Sequence, residues 1–258
     1  MPTDELSTTA LWLIGVVSAF AGGLGAMLGI GGGIILVPVL ISVFGVDAIH
    51  ARTASLVAVC VTSMAGSLVY LREGETDLVS AGYLQLPTAI GAVLGAIVGG
   101  RFDEELIRFL FAITVVIVAI RMLLPDRAGG ASTRKSWTYA ALACVAGGLL
   151  SSILGVGGGI VFVPVLALLL SLPQRAASAT STYLIGLTAA ASALIYFTQG
   201  QMDAVLAIPT ALGILIGAQA GARLSGFVSR DSLRRAFAVV MFVNAFLLLK
   251  GVLGIWLA

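Results

Sequence analysis

Apolar stretches of about 20 residues, separated by short charged clusters, run along the whole chain, and this alternation restricts the fold more than any other feature. A helix of that length just crosses the hydrocarbon core of a bilayer. Hydrophobic residues make up 59% of the 258 positions and charged residues only 10%, so no sizeable water-soluble domain fits between the stretches. The sequence therefore predicts an all-α polytopic integral membrane protein.

A glycine-rich motif occurs twice in the chain, as GIGGGIILVPVL at residues 29–40 and as GVGGGIVFVPVL at residues 155–166. The offset between the two motifs is 126 residues, and the same offset places Ser55 on Ser181. Agreement beyond the motif itself is what an internal duplication produces. We therefore treat the chain as two copies of one unit.

The similarity of the copies extends toward their ends. After a four-residue deletion in the second copy, residues 87–101 match residues 209–223, including glycines at four-residue spacing. This places the join in the charged loop near residues 125–135. We predict one transmembrane repeat over residues 1–126 and a second over residues 127–258, together forming a single membrane domain.

Each copy contains about four to five helical segments, one of which is too short to span a bilayer. In the first copy the segments are roughly residues 9–28, 34–44, 53–71, 78–100 and 104–124. The short segment after the glycines cannot cross the membrane at a rise of ~1.5 Å per residue. It is either one arm of a re-entrant hairpin that turns at the glycines, or half of a broken crossing.

The positions of the basic residues discriminate between these two alternatives. A hairpin gives each copy an odd number of crossings, so the second copy is inverted relative to the first. With the N-terminus outside, only Arg52, Arg101, Arg108 and Lys250 then lie on the outer side. A broken crossing makes the copies parallel and divides the basic residues more evenly. The positive-inside rule therefore favours inverted-topology repeats.

The glycine clusters are the first candidate for a binding site. Irregular backbone in the hydrocarbon layer persists only where protein, water or a ligand satisfies its N–H and C=O groups. Short helices are expected to begin at Ile34 and Ile160, so their free N–H groups and positive dipole ends would face the glycines, an arrangement that suits an anion. Close helix packing is the alternative role. The candidate residues are Gly31, Gly32, Gly33, Gly157, Gly158 and Gly159.

Hydroxyl residues that follow each short helix are the second candidate. Thr53 and Ser55 open one long span, and Thr180 and Ser181 open its counterpart. They are either helix caps or ligands that supply hydroxyl donors to an anion or lone pairs to a cation. The amide of Gln219 lies within a span, where it either lines a substrate path or bonds a neighbouring helix.

Two further patterns favour structural roles. Arg52 and Arg175 precede the second long span of their copies, where we expect them to extend to the membrane interface instead of binding substrate. Glycines at four-residue spacing allow two helices to touch backbone to backbone. These glycines are Gly91, Gly95 and Gly99 in the first copy and Gly213, Gly217 and Gly221 in the second.

The residue types that the spans lack exclude several classes of function. No Asp, Glu, Lys or His lies squarely inside a span, so a proton relay of buried carboxylates has no candidates. The single histidine, His50, lies by a loop, and Cys60 and Cys144 have no metal-type spacing. The net charge of +2 does not favour nucleic acid. We expect no enzymatic activity, no metal site, no cofactor and no nucleic-acid partner.

The doubled glycine motif, each copy followed by a helix rich in serine and threonine, resembles the sulfite exporter TauE/SafE family of membrane permeases. The resemblance covers nearly the whole chain, from about residue 11 to residue 254. It implies an inner-membrane protein that moves sulfur-containing anions such as sulfite, thiosulfate or the organosulfonate sulfoacetate. It also implies that the glycine clusters and nearby hydroxyls border the substrate path. Ala176 stands at the register of His50, which speaks against a symmetric role for that histidine.

The combined expectation is a transporter domain in the cell inner (plasma) membrane, working by alternating access, with an anion site at the N-termini of two half-helices. The expected partners are a small-molecule anion and the lipid bilayer. The residues leave open the anion, the direction of transport, a coupling ion (proton or sodium) and assembly as a homo-oligomer. The alternative is an anion or cation channel with two re-entrant glycine-lined segments.

Overall fold

The described part of the computed structural model is helical and contains no strand. It covers residues 7–28, 31–103, 105–107, 109–111, 113–114, 116, 136–224, 239 and 242–243. The helices with defined bounds are α1 (Thr8–Leu28), α2 (Gly33–Ser42), α3 (Ala48–Arg72), α4 (Leu78–Gly99), α5 (Trp137–Leu154), α6 (Gly159–Leu169), α7 (Gln174–Thr198) and α8 (Ala204–Leu224). The described residues between 105 and 116 are helical as well.

Six of these helices, α1, α3, α4, α5, α7 and α8, are long and apolar enough to cross a membrane. The helices that follow the glycines, α2 and α6, have only 10 and 11 residues. The order long, short, long, long therefore occurs in both copies, and the predicted all-helical multi-pass architecture is confirmed. The predicted join near residues 125–135 and most of the span predicted over residues 104–124 lie outside the described residues.

Glycine stripes join the two copies, through the close backbone contact that the four-residue spacing predicts. A Cβ on Gly91 or Gly95 of α4 would overlap the backbone of α5 at Val145 or Leu149. The second stripe packs α8 in the same way on α1, with Gly213 against Gly15, Gly217 against Ala19 and Gly221 against Gly23. Residue numbers increase together along both helix pairs, so the two helices of each pair run in the same direction.

The long helices α3 and α7 pack against each other in the centre. Ser63 Oγ donates a hydrogen bond to the Thr182 carbonyl, and Gly186 lies against Ser63. Gly66, one turn further along α3, instead lies against Thr182. Residue numbers on the two helices therefore change in opposite directions. The helices that occupy equivalent places in the two copies are antiparallel.

Within each copy the first long helix runs parallel to the central helix. The Tyr70 hydroxyl near the end of α3 donates to the Ala26 carbonyl near the end of α1, at 3.2 Å. The equivalent bond in the second copy joins the Tyr196 hydroxyl of α7 to the Ser152 carbonyl of α5, at 3.1 Å. The chain therefore returns toward its starting end between α1 and α3, and again between α5 and α7.

Buried hydroxyl groups fill much of the interior, while large apolar side chains such as Trp12 and Phe20 are exposed on the outside. Several of these hydroxyls donate to a carbonyl four residues earlier in their own helix, as Thr62, Thr188 and Thr210 do. Such bonds satisfy a buried polar group without a partner from another helix. A buried hydroxyl without any partner therefore stands out.

Candidate functional site

The first glycine turn (residues 31–33) and the second glycine turn (residues 155–159) meet beside the central helix α3. A methyl group added at Gly33 would lie 2.6 Å from Ser55 Oγ, 2.7 Å from the Val59 side chain and 2.9 Å from the Gly155 carbonyl. Gly157 of the second turn also lies against Val59. The structure thus brings the two predicted glycine clusters together at one level of α3.

Backbone conformation explains several of these glycines. Gly31 has φ 82°, and Gly155, Gly157 and Gly158 have φ 73°, 88° and 80°. Only glycine adopts this left-handed region without steric cost. Gly32 has an ordinary φ of −74° but lies close to α8, where an added Cβ would be 2.6 Å from the end of the Ile214 side chain.

Both short helices begin at the glycine turns. The Gly32 carbonyl accepts hydrogen bonds from the N–H groups of residues 35 and 36, and the Gly158 carbonyl accepts them from residues 161 and 162. The helices therefore begin at Gly33 and Gly159, one residue earlier than expected. Neither start has a side-chain cap. The first N–H groups of a helix have no intrahelical acceptor, so these starts suit an anion or another acceptor.

The four predicted hydroxyls have different positions. Ser55 Oγ donates to the Gly155 carbonyl at 2.7 Å and so contacts the second glycine turn. Thr53 Oγ1 instead donates to the His50 and Gln201 carbonyls. Thr180 Oγ1 accepts a hydrogen bond from the Asp77 N–H at 3.0 Å. The two threonines thus face the loops after α7 and α3. The fourth hydroxyl, Ser181 Oγ, is buried and has no hydrogen-bond partner among the described residues.

A small cavity of about 40 Å³ lies beside the second glycine turn. Its walls are formed by Thr114, Gly147, Leu150, Ser151, Leu154, Val156, Gly158, Ile160 and Val161. Ser151 is 3% exposed, and its Oγ has no hydrogen-bond partner in the described part of the chain. Leaving a buried polar group without a partner costs roughly 1–3 kcal/mol, so the Ser151 hydroxyl is a candidate contact for a bound group.

The described residues of the first copy leave no room for an equivalent cavity at this register. The register of Ser151 is occupied there by Gly25, and an added Cβ at Gly25 would lie 2.5 Å from the backbone of Gly31 and Gly32. Helix α1 therefore packs directly onto the first glycine turn. The sequence does not single out Ser151, because it is one hydroxyl among many. The replacement of a glycine by a serine between the copies was the available signal.

Arg52 does not extend to the protein surface, so the expectation that it reaches outward from its helix start was wrong. Its side chain is fully buried, donating to the Gly99 carbonyl at 2.9 Å and to Gln201 Oε1 at 3.1 Å. The guanidinium also lies 4.5 Å from the centre of the Tyr196 ring. The chain after α7 covers this arginine, whereas Arg175 is exposed as expected.

The family model of the sulfite exporter TauE/SafE matches residues 14–248. The chain belongs to the TauE/SafE family. It is a membrane transporter and not an enzyme. The TauE/SafE chain is 24% identical to "Probable membrane transporter protein YunE" of Bacillus subtilis, over 92% of this chain and 94% of that protein.

Two further relatives also match over most of this chain and of their own length. The TauE/SafE chain is 25% identical to "Probable membrane transporter protein YdhB" of Bacillus subtilis, over 93% of this chain and 97% of that protein. It is 26% identical to a "Probable membrane transporter protein" of Xylella fastidiosa, over 85% and 87% of the two chains. No solved structure matches the chain significantly.

Gln219 of this TauE/SafE protein does not join the glycine turns. Its side chain is exposed on α8, because that helix packs on α1 through Gly217 and Gly221, which lie on the opposite face. That Gln219 lines a substrate path stays a prediction. Those residues also contain no group of three or more His, Cys, Asp or Glu side chains that could hold a metal ion.

Proposed function

We propose that this protein moves a small sulfur-containing anion, such as sulfite, thiosulfate or the organosulfonate sulfoacetate, across the cell inner membrane. The observation that carries the proposal is the buried, unpartnered hydroxyl of Ser151 beside the uncapped start of α6. The family description "sulfite exporter" supports the class of anion.

The second glycine turn offers the donors that a small oxyanion needs. The N–H groups in the first turn of α6 and the Ser151 hydroxyl would replace part of the hydration shell of the anion. Leu150, Leu154 and Ile160 line the same cavity and keep its dielectric constant low. Hydrogen bonds to a charged group are worth more in such surroundings than in water. An anion with several oxygens can accept from both kinds of donor at once.

We further propose that the two copies have opposite orientations in the bilayer. The supporting observation is that α3 and α7, which are equivalent helices, run antiparallel, so a two-fold axis that exchanges them lies in the membrane plane. The parallel course of α1 and α3 favours a hairpin at each glycine turn over a broken crossing. With the N-terminus outside, most basic residues then lie on the inner side.

Alternating access follows from this arrangement. Rocking one inverted repeat against the other opens a central site to each side of the membrane in turn. The α3–α7 contact and the meeting of the glycine turns lie where such a motion would have its axis. The site would therefore stay in place while the access path changes.

A thermal-shift screen of the purified protein tests the proposed substrate class. Sulfite, thiosulfate, sulfoacetate, sulfate, chloride and acetate would be compared at equal ionic strength. An anion that binds only the folded state raises the unfolding temperature as its concentration increases. We expect at least one sulfur-containing anion to do so and acetate and chloride not to. A screen in which no sulfur-containing anion shifts the midpoint would contradict the proposal.

A further inference from the structure

The loops that follow α3 and α7 are equivalent in sequence and in backbone but differ in charge. The first reads REGETD at residues 72–77 and the second TQGQMD at residues 198–203. Their central glycines both have φ 70°, and each final aspartate accepts a hydrogen bond from the N–H two residues later. The second loop, however, has glutamine at both places where the first has glutamate.

Each loop contacts one arginine at the start of the other copy's central helix. Arg175 of α7 pairs with Glu73 at 3.3 Å and with Glu75 at 3.1 Å, all three side chains being substantially exposed. Arg52 of α3 is fully buried. Its only side-chain partner in the second loop is the uncharged amide oxygen of Gln201, to which it donates a hydrogen bond. Glu75 and Gln201 occupy the same register. The exchange of carboxylate for amide thus leaves the buried arginine without an ion-pair partner among the described residues.

No other described carboxylate neutralises Arg52. Its remaining contacts are the Gly99 carbonyl and the face of Tyr196, and its buried Nε has no hydrogen-bond partner. Of the nearby acids, Asp47 lies 3.7 Å from His50, and Asp203 accepts from the N–H of residue 205 at the start of α8. Arginine stays protonated in proteins, so a full positive charge is fixed in the membrane domain.

The backbone of Arg52 adjoins the second glycine turn, and its guanidinium lies over the ring of Tyr196, whose hydroxyl donates to the carbonyl of Ser152, the residue after Ser151. A Cβ at Gly155 would lie 2.7 Å from the backbone and Cβ of Arg52, and Ser55, one turn further along α3, donates to the Gly155 carbonyl. A charge in low-dielectric surroundings acts on an anion over several ångströms. Glutamate at position 201 would stabilise Arg52 directly, but it would also cancel that action.

We propose that the amide at Gln201 keeps Arg52 uncompensated, so that its charge attracts the anion to the second glycine turn and sets its affinity. Arg52 acts here at a distance, as a residue that determines anion selectivity. This inference rests on the proposed transport of an anion. The alternative is that Arg52 is purely structural and only caps the end of α4 through the Gly99 carbonyl. In that role a carboxylate partner would stabilise Arg52 without any loss of function.

Gln201→Glu separates the two roles, because it strengthens the partner of Arg52 and removes the net charge. Sulfite flux into proteoliposomes would be measured for this variant and for Gln199→Glu, which adds the same charge on an exposed side chain two residues away. We expect Gln201→Glu to raise KM roughly tenfold with an unchanged or higher unfolding temperature. Gln199→Glu should change KM much less, because solvent screens its charge.

A second pair of variants covers the case in which Gln201→Glu does not fold. Arg52→Lys retains the charge and loses the fork geometry, so its KM should stay close to that of the wild type, whereas Arg52→Gln should raise KM as strongly as Gln201→Glu. An unchanged KM in Gln201→Glu, or equal KM values in Arg52→Lys and Arg52→Gln, overturns the inference while wild-type transport stands. If the wild type moves no sulfur-containing anion, the proposed function itself fails and the inference falls with it.

Discussion

Ser55 of α3 donates a hydrogen bond to the Gly155 carbonyl at 2.7 Å, which ties the central helix of the first copy to the glycine turn of the second. Both atoms are buried, and Gly155 has the left-handed φ of 73° that only glycine adopts readily. The bond therefore holds this left-handed segment of backbone from across the interface between the copies. It is a contact on which the shape of the second glycine turn depends.

Removal of this hydroxyl is expected to loosen the second glycine turn. Ser55→Ala leaves the Gly155 carbonyl without its donor and should cost about 1 kcal/mol of stability. We expect a lower unfolding temperature and a lower sulfite affinity together. Thr62→Val is the control, because Thr62 Oγ1 bonds only within its own helix, to the Ala58 carbonyl. A Ser55→Ala protein with wild-type affinity would show that the turn does not need this bond.

The left-handed glycine before α6 should not tolerate a side chain. In Gly158→Ala the new Cβ would meet a left-handed φ of 80° and would lie 2.7 Å from the Phe162 ring. The left-handed conformation alone costs roughly 1–2 kcal/mol in a residue with a Cβ. We expect an inserted protein that does not transport sulfite, measured by flux in proteoliposomes. Gly82→Ala, at a helical glycine with open space around it, should transport normally. Normal transport by Gly158→Ala would remove the glycine turn from the site.

Whether transport depends on protons should be decided by whether the transported anion itself takes up a proton. Arg52 is the only ionisable side chain of Asp, Glu, Lys, Arg or His type that is buried among the described residues, so they hold no buried carboxylate to carry a proton. Sulfite itself takes up a proton near neutral pH, whereas thiosulfate does not. We therefore expect an imposed pH gradient to drive sulfite flux in proteoliposomes but to leave thiosulfate flux unchanged. Equal responses of the two fluxes, or none in sulfite, would contradict proton transfer by the anion.

The helices and their packing could be predicted because they depend on local length and spacing. The short α2 and α6 follow from the number of apolar residues between the glycines and the next loop, and the contact of α4 with α5 follows from glycines four residues apart. The meeting of the two glycine turns at Val59 depends on the antiparallel pairing of α3 and α7, which no single segment specifies.

The residues that the sequence could not place are those whose surroundings come from distant parts of the chain. Arg52 lies near a helix start, where arginines usually reach the interface, but the loop that carries Gln201 covers it. Gln219 lies within a span, but the glycines of α8 turn the opposite face toward α1. Ser151 differs from most other buried hydroxyls in lacking a partner, which is a property of the folded structure.

The affinity of sulfite for the wild type and for Ser151→Ala, measured by calorimetry on purified protein, tests the anion site at the second glycine turn most directly. Loss of a hydrogen bond to a charged group costs about 1.5–3 kcal/mol, so Ser151→Ala should bind roughly tenfold or more weakly. Ser18→Ala is the matched control, because this buried hydroxyl donates to the Ile14 carbonyl within α1. The Ser18→Ala protein should bind sulfite as tightly as the wild type. Equal binding of sulfite by the wild type and Ser151→Ala would contradict a site at Ser151.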